Sequence, residues 1–291
     1  MSDTLVVNEI YLSLQGESSF AGLPCVFVRL TACNLRCSYC DTAYAFTEGR
    51  KMKLADVRTE VRRLAEAFHG RRLPLTPGFS PVTARTKQTS AVSTVSHAGQ
   101  TAEAVEARTA TITGLKPGVN EMSLPLVEFT GGEPLLQTNA LPLMKQLCDD
   151  GFTVLVETSG ALDISQVDPR ARRIMDLKCP SSGEVARNRW ENLGHLKATD
   201  EIKFVIGTVE DYEWTKQQIA AHKLDAVCPL LMSWVHPLAP EQQDKALKKV
   251  PAGQSPISRR DLVERIIADA LPVRFQAQLH KLIWPPEQRG V

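Results

Sequence analysis

Short apolar runs rich in β-branched residues recur along the chain, and helical patterns separate most of them. The first run, PCVFVRL at 24–30, is followed at 54–68 by a segment whose apolar residues return every three or four positions. Five further strand-like runs lie at 125–130, 152–158, 172–178, 201–207 and 226–233. Strands that alternate with helices predict an α/β fold with an all-parallel sheet, here an incomplete barrel of the (βα)6 kind.

Polar and reactive residues stand where most of these predicted strands end. The first strand leads into the cysteine loop TACNLRCSYCDT at 31–42, the second into TGGE at 130–133, and the third into Ser159. The fourth ends in Asp176 and Lys178. Ligands of parallel α/β folds bind at the carboxyl ends of the strands. The sequence therefore predicts one site built from several strand ends.

Cys33, Cys37 and Cys40 form a C-x3-C-x2-C triplet on one short loop. The chain has an odd number of cysteines, 7, and no N-terminal secretion signal, which argues against a disulfide framework. Three thiolates leave one iron of a 4Fe-4S cluster without a protein ligand, and that open corner can bind a cofactor or substrate. Zinc, with Cys179 or Cys228 as a remote fourth ligand, is the alternative, although no second cysteine or histidine pair supports it.

The charge balance indicates the class of partner. Lys and Arg number 34 against 33 for Asp and Glu, so the net charge of +1 gives no reason to expect nucleic acid or a membrane surface as a partner. No run approaches the roughly 20 apolar residues of a membrane helix. We expect a cytoplasmic protein that acts on a small polar substrate.

Two segments interrupt the alternating pattern within what we otherwise expect to be a single domain, 1–291. Residues 76–123 are rich in Ser, Thr and Ala, which predicts a flexible insertion. Residues 237–258 predict a second insertion of loop and helix, because the stretch PAGQSPISRR at 251–260 carries two prolines and a glycine. A zinc-stabilised interaction protein that docks through the first insertion is one function consistent with this organisation.

The cysteine triplet after the first strand, together with TGGEP at 130–134 after the second, resembles the radical S-adenosylmethionine (SAM) enzymes, whose fold is a full or partial (βα) barrel. The resemblance implies that SAM binds the open iron of the cluster and yields a 5′-deoxyadenosyl radical. It also implies a set of SAM contacts at the strand ends, namely Gly131, Gly132, Glu133, Glu157, Ser159 and Lys178. A glycyl-radical-activating enzyme is an alternative within this superfamily.

The stretch EIYLSLQGESSFAGLPCVFVRL at 9–30 and the end RFQAQLHKLIWPPEQRGV at 274–291 resemble the 7-carboxy-7-deazaguanine synthase family of radical SAM enzymes. That resemblance implies ring contraction of 6-carboxy-5,6,7,8-tetrahydropterin to 7-carboxy-7-deazaguanine with loss of ammonia, in the biosynthesis of queuosine and other 7-deazapurines. It further implies catalytic use of SAM, assistance by magnesium, a reductant protein such as a flavodoxin, and a homodimer.

The same resemblance assigns roles around the substrate. The implied pterin contacts are Gln15, Glu17, Arg29, Thr130, Gln278 and His280. A carboxylate and a carboxamide suit the amide and amine edge of a pterin, and a guanidinium can bind the substrate carboxylate with two hydrogen bonds. Thr42 matches the magnesium ligand, with water and the substrate carboxylate completing the six oxygens that the ion prefers. The pterin contacts that precede the cysteines argue against the glycyl-radical alternative.

Two positions depart from the family pattern. Ser18 follows Glu17 where a glycine is usual, and Ala32 precedes Cys33 where TGC or AGC is common. Because glycine tolerates backbone conformations that other residues avoid, we expect the loop geometry to shift at these positions.

Overall fold

The computed structural model describes residues 3–74 and 121–291, and its largest element is a nine-stranded sheet. Its strands, in chain order, are β1 (Thr4–Leu14), β2 (Pro24–Leu30), β3 (Arg50–Lys53), β6 (Leu126–Gly131), β7 (Val154–Thr158), β8 (Arg172–Asp176), β9 (Glu201–Ile206), β10 (Leu230–Trp234) and β11 (Arg274–Gln276). The helices are α1 (Leu54–Ala65), α2 (Ala140–Asp149), α3 (Val209–His222), α4 (Arg259–Ala268) and α5 (His280–Ile283). Two short strands, β4 (Arg72–Pro74) and β5 (Glu121–Ser123), pair with each other in a separate sheet.

The six predicted strands are confirmed as a parallel array. β2, β6, β7, β8, β9 and β10 are neighbours in chain order, each parallel to the next, and β11 extends the array by one strand. The prediction of an all-parallel sheet is wrong at the other edge, where β1 runs antiparallel to both β2 and β3. The connection 15–23 between β1 and β2 is too short for the crossover that parallel strands require.

The helices agree only in part with a (βα)6 pattern. The helical pattern at 54–68 is confirmed as α1, and α2 and α3 follow β6 and β9 as the alternation of strands and helices predicts. The connections 159–171 and 177–200 contain no α-helix, only turns and short 3-10 segments. Buried asparagines hold these connections in irregular form: the Asn192 side chain donates to the carbonyls of Gly160 and Leu162 at 3.0 and 2.8 Å. The sheet is open, with β3 and β11 at its two ends.

The two faces of the parallel strands differ in chemistry because successive side chains point to opposite sides. On one face, Val127, Phe129 and Val156 pack with Leu143 and Met144 of α2 in an apolar core. A second apolar core forms around β9, β10 and α3. The opposite face bears buried polar residues, namely Glu128, Thr130, Asp176 and Lys203. Buried charge is costly unless it is paired, so this row of polar groups indicates a functional surface.

The two predicted insertions have different outcomes. Most of the Ser, Thr and Ala-rich segment at 76–123 lies outside the described residues. The segment 237–258 is irregular apart from one 3-10 turn at Pro240–Gln242, and α4 begins directly after it. None of the helices in the described ranges has the length and apolar character that a membrane span requires.

Candidate active site

A cavity of about 600 Å³ lies at the carboxyl ends of the parallel strands. This volume is typical of cavities that bind small molecules and cofactors. All of the predicted site residues except Glu133 line it, including the three cysteines of the triplet and the six predicted pterin contacts. The strand-end rule applied to the sequence therefore located the cavity.

The cysteine loop is held to the connection that follows β8 by three hydrogen bonds. The Ser38 hydroxyl donates to the carbonyl of Ser181 at 2.6 Å, and the Ser38 amide donates to the carbonyl of Ser182 at 3.1 Å. The Arg36 amide donates to the Glu184 carboxylate at 2.7 Å. These bonds tie the loop conformation to the 177–200 connection.

The three thiols lie in a setting that disfavours their charged form unless a cation is present. Burial raises the pKa of Cys33, Cys37 and Cys40, that of Cys40 to about 12, and the neighbouring thiols add to the effect at Cys37 and Cys40. Metal ions supply the positive charge that stabilises thiolates in such a setting. Cys179 and Cys228, by contrast, are buried in the second apolar core.

The thiols can be compared with the needs of a cluster and of zinc. Among the described residues, no three His, Cys, Asp or Glu side chains are placed so that they could hold one metal ion. In a 4Fe-4S cluster each thiolate binds a different iron, so the sulfurs need not converge on one point. The donor set is therefore compatible with a cluster, and Cys179 and Cys228 lie outside the cavity lining.

Two backbone segments approach each other closely at Gly131 and Gly132, so a side chain at either position would collide with the neighbouring backbone. A Cβ on Gly132 would lie 2.0 Å from the carbonyl oxygen of Ala32, and a Cβ on Gly131, whose φ is +117°, would lie 2.4 Å from that of Leu30. The Gly132 amide donates to the Leu30 carbonyl at 3.1 Å. The glycine loop after β6 is thereby packed against the chain that leads into the cysteine loop.

Glu133 has a different position from the one predicted. Its side chain is fully buried and does not reach the cavity. Its carboxylate accepts hydrogen bonds from the Ser159 amide at 2.7 Å, the Ser159 hydroxyl at 2.6 Å and the Thr158 hydroxyl at 3.0 Å. Glu133 therefore joins the glycine loop to the end of β7 and lies outside the cavity lining.

Arg29 is anchored on the antiparallel edge of the cavity. Its Nε donates to Glu9 at 2.8 Å, and one terminal nitrogen donates to the Tyr11 hydroxyl at 2.8 Å. Burial raises the pKa of Tyr11 to about 12, so the phenol is neutral and accepts this bond. Among the described residues the other terminal nitrogen has no partner, which leaves donors for a ligand carboxylate.

Lys203 is the central cation of the cavity. Its ammonium lies 2.7 Å from the Glu17 carboxylate and also contacts Glu157, while the Thr130 hydroxyl donates to Glu157 at 3.0 Å. Burial alone would raise the pKa of Glu17, but Lys203 outweighs it and the pKa is lowered. Burial opposes the charge of Lys203 too, yet Glu157 and Glu17 raise its pKa well above the usual value. The structure thus places Glu157, predicted as a SAM contact, among the predicted pterin contacts.

Glu128 lies beside this group, and its pKa is shifted in the opposite direction from that of Glu17. Burial and the nearby charge of Glu157 raise the pKa of Glu128 well above the usual range, which favours its neutral form. The amide nitrogen of Gln15 donates to Glu128, while the amide oxygen of Gln15 accepts from the main chain of Glu17 at 3.0 Å. Glu128 therefore fixes the orientation of the Gln15 amide in the cavity.

The C-terminal segment closes the cavity beside the first strands. His280 packs on Gly16 so closely that a Cβ there would lie 2.3 Å from its Nδ1. Burial lowers the pKa of His280, although the charges of Glu17 and Asp41 oppose the shift. The Gln278 side chain lies near Glu17 and contributes to lowering the pKa of its carboxyl. Part of the segment 274–291 thus forms one wall of the cavity.

The side chains of Thr42 and Lys178 each donate a hydrogen bond to a nearby aspartate. The Thr42 hydroxyl donates to Asp41 at 2.8 Å, which leaves its oxygen lone pairs for a cation. The ammonium of Lys178 donates to Asp176 at 2.6 Å, and although burial opposes its charge, Asp176 raises its pKa. Lys178 stays charged and retains donors for a ligand carboxylate.

Comparison with known proteins gives this site a family. The chain is 37% identical to the 7-carboxy-7-deazaguanine synthase of Koribacter versatilis over 98% of its length and 99% of the relative. The chain belongs to the 7-carboxy-7-deazaguanine synthase family. The synthase of Chlorobaculum tepidum is 34% identical, with 99% of this chain and 97% of the relative covered. A search against protein-family models gave no match.

The fold is also that of a protein of known structure. The crystal structure of QueE from Escherichia coli covers 95% of both chains with a TM-score of 0.57 at 19% identity. Similarity at this level of identity shows the fold alone. It agrees with an α/β fold whose sheet is mostly parallel.

Both departures from the 7-carboxy-7-deazaguanine synthase pattern fall on left-handed backbone. Ser18 has a φ of +62° and Ala32 a φ of +78°, a region that glycine adopts at least cost. The Ser18 amide donates to Gln276 at 2.5 Å, and the Ala32 amide donates to the Ala45 carbonyl at 2.8 Å. These hydrogen bonds hold both residues in a backbone region that favours glycine.

Sequence analysis missed Lys203 and Glu128 as site residues. Both lie inside strands rather than at their ends, with Lys203 in EIKFVI and Glu128 in LVEFTG. The signal was a charged residue within an otherwise apolar strand, since a buried charge requires a partner.

Proposed function

We propose that this chain is an enzyme that converts 6-carboxy-5,6,7,8-tetrahydropterin into 7-carboxy-7-deazaguanine with loss of ammonia, in the biosynthesis of queuosine and other 7-deazapurines. The main support is the single cavity in which the cysteine triplet meets polar groups suited to a pterin. Full-length similarity to proteins named 7-carboxy-7-deazaguanine synthase supports the same reaction. We assign the enzyme to the radical SAM lyases, with a partial barrel as its fold.

The proposed cofactors are a 4Fe-4S cluster on Cys33, Cys37 and Cys40, SAM beside it, and Mg²⁺ at Thr42. When bound, the cluster and SAM together supply the 5′-deoxyadenosyl radical that begins the rearrangement. Gly131 and Gly132 present backbone without side chains to SAM, and Lys178 offers its ammonium to the SAM carboxylate.

The pterin is oriented by groups on the antiparallel edge and on β9. Arg29 binds the substrate carboxylate, since its guanidinium is already held by Glu9 and Tyr11. Glu17 is kept ionised by Lys203 and accepts hydrogen bonds from the pterin edge. Gln15 has its amide fixed by Glu128 and supplies the complementary contact. Pre-set groups of this kind lower the entropic cost of reaching the reactive geometry.

The test is anaerobic reconstitution with iron and sulfide, followed by addition of SAM, Mg²⁺, a reductant and 6-carboxy-5,6,7,8-tetrahydropterin. Mass spectrometry should detect 7-carboxy-7-deazaguanine with SAM regenerated. Arg29→Ala should keep the iron content and lose product, whereas Cys37→Ala should lose iron. Cleavage of SAM without product would retain the radical enzyme and overturn the proposed substrate.

A further inference from the structure

The predicted pterin contacts in the C-terminal segment end at His280, but the chain continues along the cavity. Residues 286–291 also line the cavity, and we name them the strap. The chain that leads into the strap is tied to the cysteine loop, because the Lys281 ammonium pairs with the Asp41 carboxylate and the Lys281 side chain is only 5% exposed. The strap therefore starts from a fixed point beside the site.

Arg289 attaches the strap to the chain that follows the cysteine loop. Its guanidinium carbon lies 3.7 Å from the centroid of the Tyr44 ring, within the range of a cation–π contact. One terminal nitrogen lies 2.7 Å from the Glu48 carboxylate. The main chain of Glu48 is itself held, since its carbonyl accepts hydrogen bonds from the Asn8 side chain at 2.8 Å and the Thr31 hydroxyl at 2.5 Å. Arg289 thus binds to a well-anchored part of the molecule.

Tyr44 connects this attachment to Arg29. The Tyr44 side chain lines the cavity, and its hydroxyl donates to Oε1 of Glu9 at 3.3 Å. The same oxygen accepts the hydrogen bond from Nε of Arg29 at 2.8 Å. The Arg29 guanidinium carbon also lies 6.0 Å from the centroid of the Tyr44 ring. Burial raises the pKa of Tyr44, so the hydroxyl keeps the proton that it donates to Glu9.

We propose that Arg289 is a positioning residue for the substrate carboxylate, acting through Tyr44 on the orientation of Arg29. A guanidinium binds a carboxylate with two hydrogen bonds only when its plane is correctly oriented. Arg289 restrains the Tyr44 ring, and Tyr44 and Glu9 restrain the Arg29 plane. This inference rests on the proposed function, because it concerns the binding of a carboxylated pterin by Arg29.

The test compares two stable ligands that differ only in the carboxylate, 6-carboxypterin and pterin. Isothermal titration calorimetry measures the Kd of each for the reconstituted holoenzyme with SAM and Mg²⁺ and without reductant. Arg289→Ala should weaken the Kd of 6-carboxypterin about fivefold, the size of one exposed cation–π contact and one exposed ion pair together. The Kd of pterin should stay within about twofold. Arg289→Lys retains the positive charge and should recover part of the loss.

A matched control removes another exposed arginine that is paired with a carboxylate. Arg260 lies 2.7 Å from Glu264 on α4, and neither residue lines the cavity. Arg260→Ala should leave the Kd of both ligands within about twofold.

A double variant tests whether Arg289 acts through Tyr44. Tyr44→Phe keeps the ring but removes the hydrogen bond to Glu9, and it should weaken the Kd of 6-carboxypterin by itself. Because the two residues act in series, Arg289→Ala/Tyr44→Phe should weaken this Kd by less than the product of the two single effects. Independent effects would overturn the positioning role, as would an unchanged Kd in Arg289→Ala or an equal loss for pterin and 6-carboxypterin. A wild type that binds pterin as tightly as 6-carboxypterin would overturn the proposed role of Arg29 and this inference with it.

Discussion

At the scale of single residues, the cavity is organised around charged side chains that belong to no recognisable sequence motif. The cysteine triplet and the glycine pair were identifiable because their spacing has chemical meaning by itself. Lys203 and Glu128 acquire their role from residues that are distant in sequence. Lys203 is paired with Glu17 and Glu157, and Glu128 with Gln15. Partnerships of this kind depend on register between strands, which no local pattern encodes.

Lys203→Met should destabilise the protein by about 3 kcal/mol, because it leaves Glu17 and Glu157 as buried carboxylates without a cation. Denaturant unfolding measures the change. Lys203→Arg retains the positive charge and should lose less free energy of unfolding. The double variant Lys203→Met/Glu17→Gln should recover part of the loss, and a purely additive result would contradict the pairing.

His280→Asn should reduce the loss of stability on acidification. Burial lowers the pKa of His280, so the folded state favours the neutral ring. The stabilisation is present above the usual value of about 6.5 and is lost as pH falls through the lower folded pKa. Between pH 7.5 and 5.0 the wild type should lose more free energy of unfolding than the variant. His69→Asn, at an exposed position, should follow the wild type.

Ala32→Gly should stabilise the protein by about 1 kcal/mol, because it relieves an L-residue held at a φ of +78°. Thermal unfolding monitored by calorimetry measures the change in stability through the unfolding midpoint. Ala45→Gly is the control: Ala45 is fully buried and accepts the Ala32 amide through its carbonyl, so that change should only destabilise. A lower unfolding midpoint for Ala32→Gly would show that the methyl group packs usefully.

At the scale of elements, strands with continuous apolar runs could be predicted and the others could not. β2 and β6 through β10 are buried on both faces or nearly so, which gives them their recognisable composition. β1 is mostly half-buried and β3 is short and exposed, so neither has a distinct pattern. The connections 159–171 and 177–200 lack helices because buried side chains satisfy their main chain, an arrangement set by tertiary contacts.

The contact between the glycine loop and the chain before Cys33 is the element-level feature most sensitive to change. Gly132→Ala would place a methyl carbon 2.0 Å from the Ala32 carbonyl oxygen, and backbone must then move. We expect a loss of about 3 kcal/mol in unfolding free energy and a lower iron content after reconstitution. Gly194→Ala, where a Cβ meets nothing within 4 Å, should change stability by no more than about 0.5 kcal/mol. Equal behaviour of the two variants would contradict the tight packing.

At the scale of the whole molecule, the carboxyl ends of seven parallel strands and the C-terminal segment meet around one cavity. Sequence analysis located this edge because parallel strands place their ends together, whatever the exact twist of the sheet. It did not foresee that residues 243–254 would contact the cysteine loop, since the segment has no pattern of its own and its position depends on Lys248, whose amide donates to the carbonyl of Arg36 at 2.9 Å.

Replacing residues 76–119 with a short Gly-Ser turn should leave the catalytic unit intact. β4 and β5 pair with each other, so the chain enters and leaves this segment at adjacent points. Loop closure depends weakly on length, about 0.6 kcal/mol for each doubling, and the unfolding midpoint should shift by only a few degrees. Calorimetry measures the unfolding midpoint, and a product assay measures activity. A large fall in the midpoint or in product formation would show that the segment has a structural role.

The pairing of β4 with β5 also bears on how such a chain changes over generations. Because the two strands close the segment at its base, residues can be gained or lost between them without moving any strand of the large sheet. Selection for the reaction acts on the cavity, whereas the length between these strands is free to drift or to acquire a separate task.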